Sequence, residues 1–181
     1  MDKLMARSAL GRADLMDRQV GAYRIIEQAP ALVSCAVRRN QQVALEEKLP
    51  GLPVVGGVSE IDAMVAFWTG PGQWMLEMPY HSERDPAAHW ADQLLGLASV
   101  TEQTDAWVRF DVTGALAPMF ERLAMIDWRS FGVGQVQRGA LEHLGCFFLR
   151  RTVETLSVYG PRSSAATLLH ALEQAARRVS Q

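Results

Sequence analysis

Side chains able to do chemistry are few and scattered along this chain of 181 residues. The four histidines, His81, His89, His143 and His170, lack metal-ligand spacing. His81 and His89 lie too far apart for one helical turn, and no Cys-x-x-Cys is present. His143 stands three residues before Cys146. A nucleophilic Cys/His pair would need a third orienting group and a cleft, and the plain reading is a surface turn histidine beside a core cysteine. Cys35 and Cys146 lie far apart and form no motif. Buried reduced thiols are the expectation for a cytosolic chain, and the spacing gives a disulfide no support.

Gly56-Gly57, Gly70-Pro71-Gly72 and Gly132-x-Gly134 lack the glycine and lysine spacing of nucleotide or flavin phosphate loops. Among the carboxylates, Asp105, Asp111 and Asp127 cluster around one segment, Ala106–Trp128. Alternation along its first half puts Ala106, Val108, Phe110 and Val112 on one face and Trp107, Arg109 and Asp111 on the other. On that solvent-facing side an Arg109–Asp111 ion pair, lateral or cross-strand, explains the charges better than paired acid/base work. A tryptophan there is odd for a free monomer, and tryptophan and arginine are enriched where proteins bury against each other. Trp107, Arg109 and Asp111 are therefore candidates for contact with a partner or with a covering helix layer. Neither a catalytic, a cofactor-binding nor a metal residue is assigned.

The elements that hold these residues follow from periodicity. After Thr113-Gly114 the period changes to Leu116, Met119, Phe120 and Leu123, one face of a helix. Pro118 must then lie in its first turn, setting the start near Ala115–Ala117. Earlier, 32–37 reads as a strand, 38–49 as a helix stopped by Pro50-Gly51, and 51–59 as a loop or irregular crossing. Strands over 62–69 and 73–79 flank the Gly70-Pro71-Gly72 turn as a hairpin. Asp85-Pro86 caps and opens a helix to about Leu97, with Ala87, Trp90, Ala91, Leu94 and Leu95 as its apolar stripe. A possible strand at 136–141 precedes a second hairpin, 145–151 with 154–159, and Ser163 or Ser164 caps a last helix. Residues 1–31 form an N-terminal arm, extended or partly helical, with no sustained apolar stripe.

Each half of 32–181 reads strand, helix, hairpin, helix, with Leu49 corresponding to Leu123 and Pro79 to Pro161. The expectation is a single α+β domain of two weakly repeated halves, 32–98 and 99–181. A net charge of −2 offers no basic field for nucleic acid or acidic lipid. No apolar run approaches the roughly 20 residues of a membrane span, and the first residues lack a secretory core. The expected setting is cytoplasmic.

Three stretches carry a family resemblance. They are WTGPGQWML at Trp68–Leu76, VTEQTDAWVRFDVTGALAPMFERLAMIDW at Val100–Trp128, and TLSVYGPRS at Thr155–Ser163. Together they resemble the gamma subunit of heterotetrameric bacterial sarcosine oxidase, over about Leu32 to the end. Two loops depart: the family's acidic pair after Gly-Pro is Gly72-Gln73, and its Phe-Pro-Pro-Gly is Phe131-Gly132-Val133-Gly134.

The resemblance implies a duplicated fold similar to the folate-binding domain of aminomethyltransferases. It also implies a role as a non-catalytic subunit packed against the alpha subunit, with beta and delta completing the complex. That complex oxidatively demethylates sarcosine to glycine, giving hydrogen peroxide and methylene-tetrahydrofolate. FAD, FMN, NAD and tetrahydrofolate are expected in the partner subunits and none in this chain. The alternative is a stand-alone folate-binding domain of the aminomethyltransferase class acting in one-carbon transfer; the Lys-Gly-Cys-Tyr signature of the YgfZ-like members is absent. A scaffold domain with some other partner is the third reading.

Overall fold

A computed structural model describes residues 7–81 and 85–180. In chain order the elements are β1 (Asp17–Val20), β2 (Tyr23–Gln28), β3 (Ala31–Val37), α1 (Gln42–Lys48), β4 (Val58–Ile61), β5 (Met64–Gly70), β6 (Gln73–Met78) and α2 (Pro86–Gln93). There follow β7 (Ala98–Glu102), β8 (Trp107–Thr113), α3 (Leu116–Leu123), β9 (Val136–Leu141), β10 (Leu144–Arg150), β11 (Thr155–Pro161) and α4 (Ala165–Val179). The strands form a six-stranded sheet, β1-β2-β8-β11-β10-β9, and a five-stranded sheet, β4-β5-β6-β3-β7. This is the α+β class read from the sequence.

The chain divides into two compact units. One comprises Met1–Ala29, Ala106–Val133 and Arg138–Gln181; the other comprises Pro30–Asp105 and Gly134–Gln137. In the first, Phe110, Phe120, Phe148, Leu156 and Leu168 are fully withdrawn from water. In the second, Val33, Cys35, Leu45, Ala66 and Leu76 fill the core. Each fully buried large apolar side chain contributes about 1.5–3 kcal/mol, which binds the helices to their sheets.

The duplication is visible in the sheet orders. β4-β5-β6-β3-β7 matches β9-β10-β11-β8-β2 strand for strand. Helices α1 and α3 follow equivalent strands, as do α2 and α4. The first strand of each repeat crosses over: β2 precedes β3 but pairs with β8, and β7 precedes β8 but pairs with β3. Division by sheet therefore differs from division along the chain.

Equivalent loops carry the same Val-Gly-x-Val, at Val55–Val58 and Val133–Val136. Gly56 and Gly134 both adopt positive φ, 70° and 77°, a conformation that favours glycine. The Val58 N–H donates to the Gly134 carbonyl at 2.9 Å, and the Val136 N–H donates to the Gly56 carbonyl at 2.8 Å. The Phe131–Gly134 departure from the family pattern thus ends in a glycine that this turn uses.

Several expectations are met and several corrected. Leu116, Met119 and Phe120 are the buried face of α3, and Pro118 lies in its first turn. Asp85 caps α2, its Oδ1 accepting the Ala88 N–H at 3.0 Å. However, α2 stops at Gln93, and both Ala91 and Leu95 are exposed, the latter 80%, so the apolar stripe is Ala87, Trp90 and the buried Leu94. Val58–Ile61, at the end of the expected loop, is a strand, as is the unassigned Ala98–Glu102. Ser164 precedes α4 but makes no side-chain cap hydrogen bond, because a 3-10 turn at Arg162–Ser164 leads into the helix.

The first six residues of the expected arm lie outside the described residues. Its remainder holds β1 and β2, paired from Asp17↔Ile26 to Val20↔Tyr23. The buried Glu27 carboxylate accepts the N–H groups of Leu10 and Met16 at 3.3 and 3.1 Å. Glu173 of α4 pairs with Arg18 of β1 and with Arg177 at 3.0 Å. No helix of the described residues is long and apolar enough to cross a membrane.

Candidate functional site

Strand β8 places Trp107, Arg109 and Asp111 on one face, opposite the buried Val108, Phe110 and Val112. Arg109 forks onto Asp111: Nε donates to Oδ1 at 2.9 Å and Nη2 to Oδ2 at 2.6 Å. Of the two expected pairings, lateral and cross-strand, the structure has the lateral one. The expected solvent exposure is corrected, however, since the two side chains are only 16% and 12% accessible. Trp107 is half-buried, its ring 5.2 Å from that of Phe147.

Sheet register brings further residues to this face. Ser157 lies opposite Asp111, and Tyr159 opposite Arg109. The Ser157 hydroxyl donates to Asp111 Oδ1 at 2.6 Å, while Arg151 donates from Nε to Ser157 at 2.9 Å and from Nη2 to Tyr159 at 2.8 Å. Two guanidinium groups, one carboxylate and two hydroxyls thus form one network. Ser157 beside a carboxylate invites comparison with an activated nucleophile. Yet Ser157 is fully buried and its oxygen is engaged by Arg151, so no substrate reaches it. Satisfied buried networks of this kind fix a strand's register and packing.

The loop after α3 is fixed from β10. The Arg150 guanidinium lies 4.7 Å from the Trp128 ring centroid and donates to the Phe131 carbonyl. Trp128 in turn stacks on Phe120 at 6.1 Å.

The remaining candidates separate. His143 is exposed at the β9–β10 turn while Cys146 is buried in the core, so they form no catalytic pair. His81 and His89 line one groove of about 450 Å³ with Asp85. All three are exposed, and Asp85 is engaged in the helix cap, so among the described residues no buried polar group is aimed into that groove. The described residues contain no cluster of three side chains able to hold a metal ion. His170 lies in a second groove, of about 360 Å³, between α3 and α4.

Cys35 and Cys146 are free and buried, and burial pushes each thiol up to about 11, with a Leu141 backbone hydrogen bond opposing this at Cys146. A raised pKa means that the folded state holds the proton more tightly. The associated stability is intact below the ordinary value of 9.0 and is lost as pH rises from there towards 11. A thiol reagent at pH 8 is expected to modify neither cysteine in the native protein and both after denaturation. Rapid modification of the native protein would place a thiol at the surface.

No family model matches the chain, and no curated protein matches it. Solved structures do. One is heterotetrameric sarcosine oxidase from Corynebacterium sp. U-96 in complex with pyrrole 2-carboxylate, with a TM-score of 0.78 and 18% identity over 91% of this chain and 88% of that one. Another is glycine cleavage system aminomethyltransferase T from Bartonella henselae, with a TM-score of 0.61 and 12% identity over 90% of this chain but 48% of that one. At these identities the likeness is one of fold. The chain has the α+β fold of the folate-binding, aminomethyltransferase-like proteins, a fold also found in the sarcosine oxidase complex.

Proposed function

We propose that this chain is the non-catalytic gamma subunit of a heterotetrameric sarcosine oxidase. In this reading the complex oxidatively demethylates sarcosine to glycine, with hydrogen peroxide and methylene-tetrahydrofolate as products. The carrying observation is extent: the match spans 91% of this chain and 88% of a chain from such a complex. Against the aminomethyltransferase it spans only 48% of the larger protein. FAD, FMN, NAD and tetrahydrofolate are assigned to the partner subunits, and the alpha subunit, with beta and delta in the complex, is the proposed neighbour. A polar face whose groups satisfy one another suits a packing role. Half-buried Trp107 is the proposed contact with alpha, with Arg109 and Asp111 beneath it holding the strand.

The aminomethyltransferase likeness, at a TM-score of 0.61, favours one second reading, a stand-alone folate-binding domain in one-carbon transfer. Calorimetric titration of the isolated chain with tetrahydrofolate separates the two. The subunit reading expects no saturable heat, and co-expression of alpha, beta and delta without this chain is expected to lower the yield of assembled oxidase. Tight folate binding by the free chain would favour the second reading.

A further inference from the structure

The duplicated fold leaves one sheet edge open where its counterpart is filled. In the six-stranded sheet β2 lies beside β8 as β7 lies beside β3 in the five-stranded one. The outer edge of β2 carries β1, added antiparallel. Among the described residues, no strand lies on the outer edge of β7.

Backbone hydrogen bonds fix which groups face that edge. The Gln103 N–H donates to the Leu32 carbonyl at 2.8 Å, and the Arg38 N–H donates to the Leu97 carbonyl at 2.9 Å. Antiparallel ladders alternate, so the backbone groups of Leu97, Ser99, Thr101 and Gln103 turn towards β3, and those of Ala98, Val100 and Glu102 turn away. The Ala98 N–H is taken by the Leu94 carbonyl at 3.1 Å. The N–H and C=O groups of Val100 and Glu102 therefore point to the open side.

Such an edge is a template for another strand unless it is blunted by proline, lysine or a covering segment. The sequence Ala-Ser-Val-Thr-Glu contains neither proline nor lysine, and Ser99, Thr101 and Glu102 are exposed. The outer edges of β4 and β9 are better protected. Gly57 bridges to Gln135 beside β4, and Ala124 bridges to Leu141 at the end of β9.

We propose that β7 accepts an extended segment of a partner subunit, paired antiparallel as a sixth strand. The inference rests on the reading of this chain as a subunit of a larger complex. Recognition comes through the backbone groups of Val100 and Glu102, with side chains setting the preference. Val100 packs on the core cluster of its unit, so the added segment places an apolar side chain opposite it. On the other face, beside Ser99 and Thr101, the segment carries small polar side chains.

The test compares amide hydrogen exchange in the free chain and in the co-purified complex, together with Val100→Pro. Proline is tolerated on an edge strand where its missing N–H would face outward. The Val100 and Glu102 amides are expected to exchange at least about tenfold more slowly in the complex. Val100→Pro is expected to weaken assembly by on the order of tenfold or more, as the loss of edge hydrogen bonds implies. A complex whose Val100 and Glu102 amides exchange as fast as in the free chain overturns the edge proposal and leaves the subunit reading standing. Failure of the wild-type chain to form any complex overturns both. Should Val100→Pro not fold, the wild-type exchange rates decide alone.

Discussion

Asp111→Ala is expected to cost about 3–5 kcal/mol of folding stability, because it breaks a largely buried charge pair by removing the carboxylate onto which Arg109 forks. The same change strips the Ser157 hydroxyl of its acceptor at 2.6 Å. Against a total of about 5–15 kcal/mol for a domain, this is a large fraction of the stability. Urea denaturation measures this directly. Asp111→Asn keeps the volume and one acceptor and should cost less, about 1–3 kcal/mol. The exposed Asp17–Arg24 pair is the control: its N···O distance is 2.5 Å, yet water screens it, and removing Asp17 should change nothing measurable. A shift at Asp111 as small as that at Asp17 would mean that the network is hydrated and holds nothing in place.

Gly114→Ala carries the second large effect, through backbone strain and overlap. Gly114 has φ of 146°, and an added Cβ would lie 2.7 Å from the Tyr23 ring and 3.1 Å from the Ala22 carbonyl oxygen. The ring cannot swing away freely, since the Tyr23 hydroxyl donates to the Ala115 carbonyl at 2.8 Å. Strain of about 1–3 kcal/mol and overpacking of similar size combine. The expected result is a fall in Tm of many degrees. Gly145→Ala meets no atom within 4 Å and has no positive φ, and it should be nearly neutral. Equal Tm values for the two variants would contradict the packing seen at Gly114.

The β8–α3 segment was legible because its apolar residues switch cleanly from a period of two to helical spacing, with Pro118 and Gly114 marking the junction. The β5–β6 hairpin was legible through its glycine turn. β4 was hidden because Val58–Ile61 is short and none of its four residues is fully buried. β7 was hidden because Ser99, Thr101 and Glu102 read as loop residues. In β2 the pattern Tyr23, Ile25, Glu27 is a proper core face, but its third position is a carboxylate whose partners are the distant backbone N–H groups of Leu10 and Met16.

The Arg109–Asp111 pair was readable from spacing on one strand. Ser157, Tyr159 and Arg151 were not, because only the β8–β11 and β10–β11 registers bring them there. The alternation of Leu156, Ser157, Val158 and Tyr159 did hold the signal that Ser157 and Tyr159 share a face. The crossing of β2 and β7 between repeats depends on long-range pairing, which local periodicity does not encode.

The role proposed for this chain is that of a subunit. Tagging it in its native source and isolating what it holds, with absorbance spectroscopy and native mass spectrometry, tests that role most directly. The expected result is a flavin-bearing assembly with three further polypeptides that oxidises sarcosine. A monodisperse free chain that binds tetrahydrofolate tightly would contradict it.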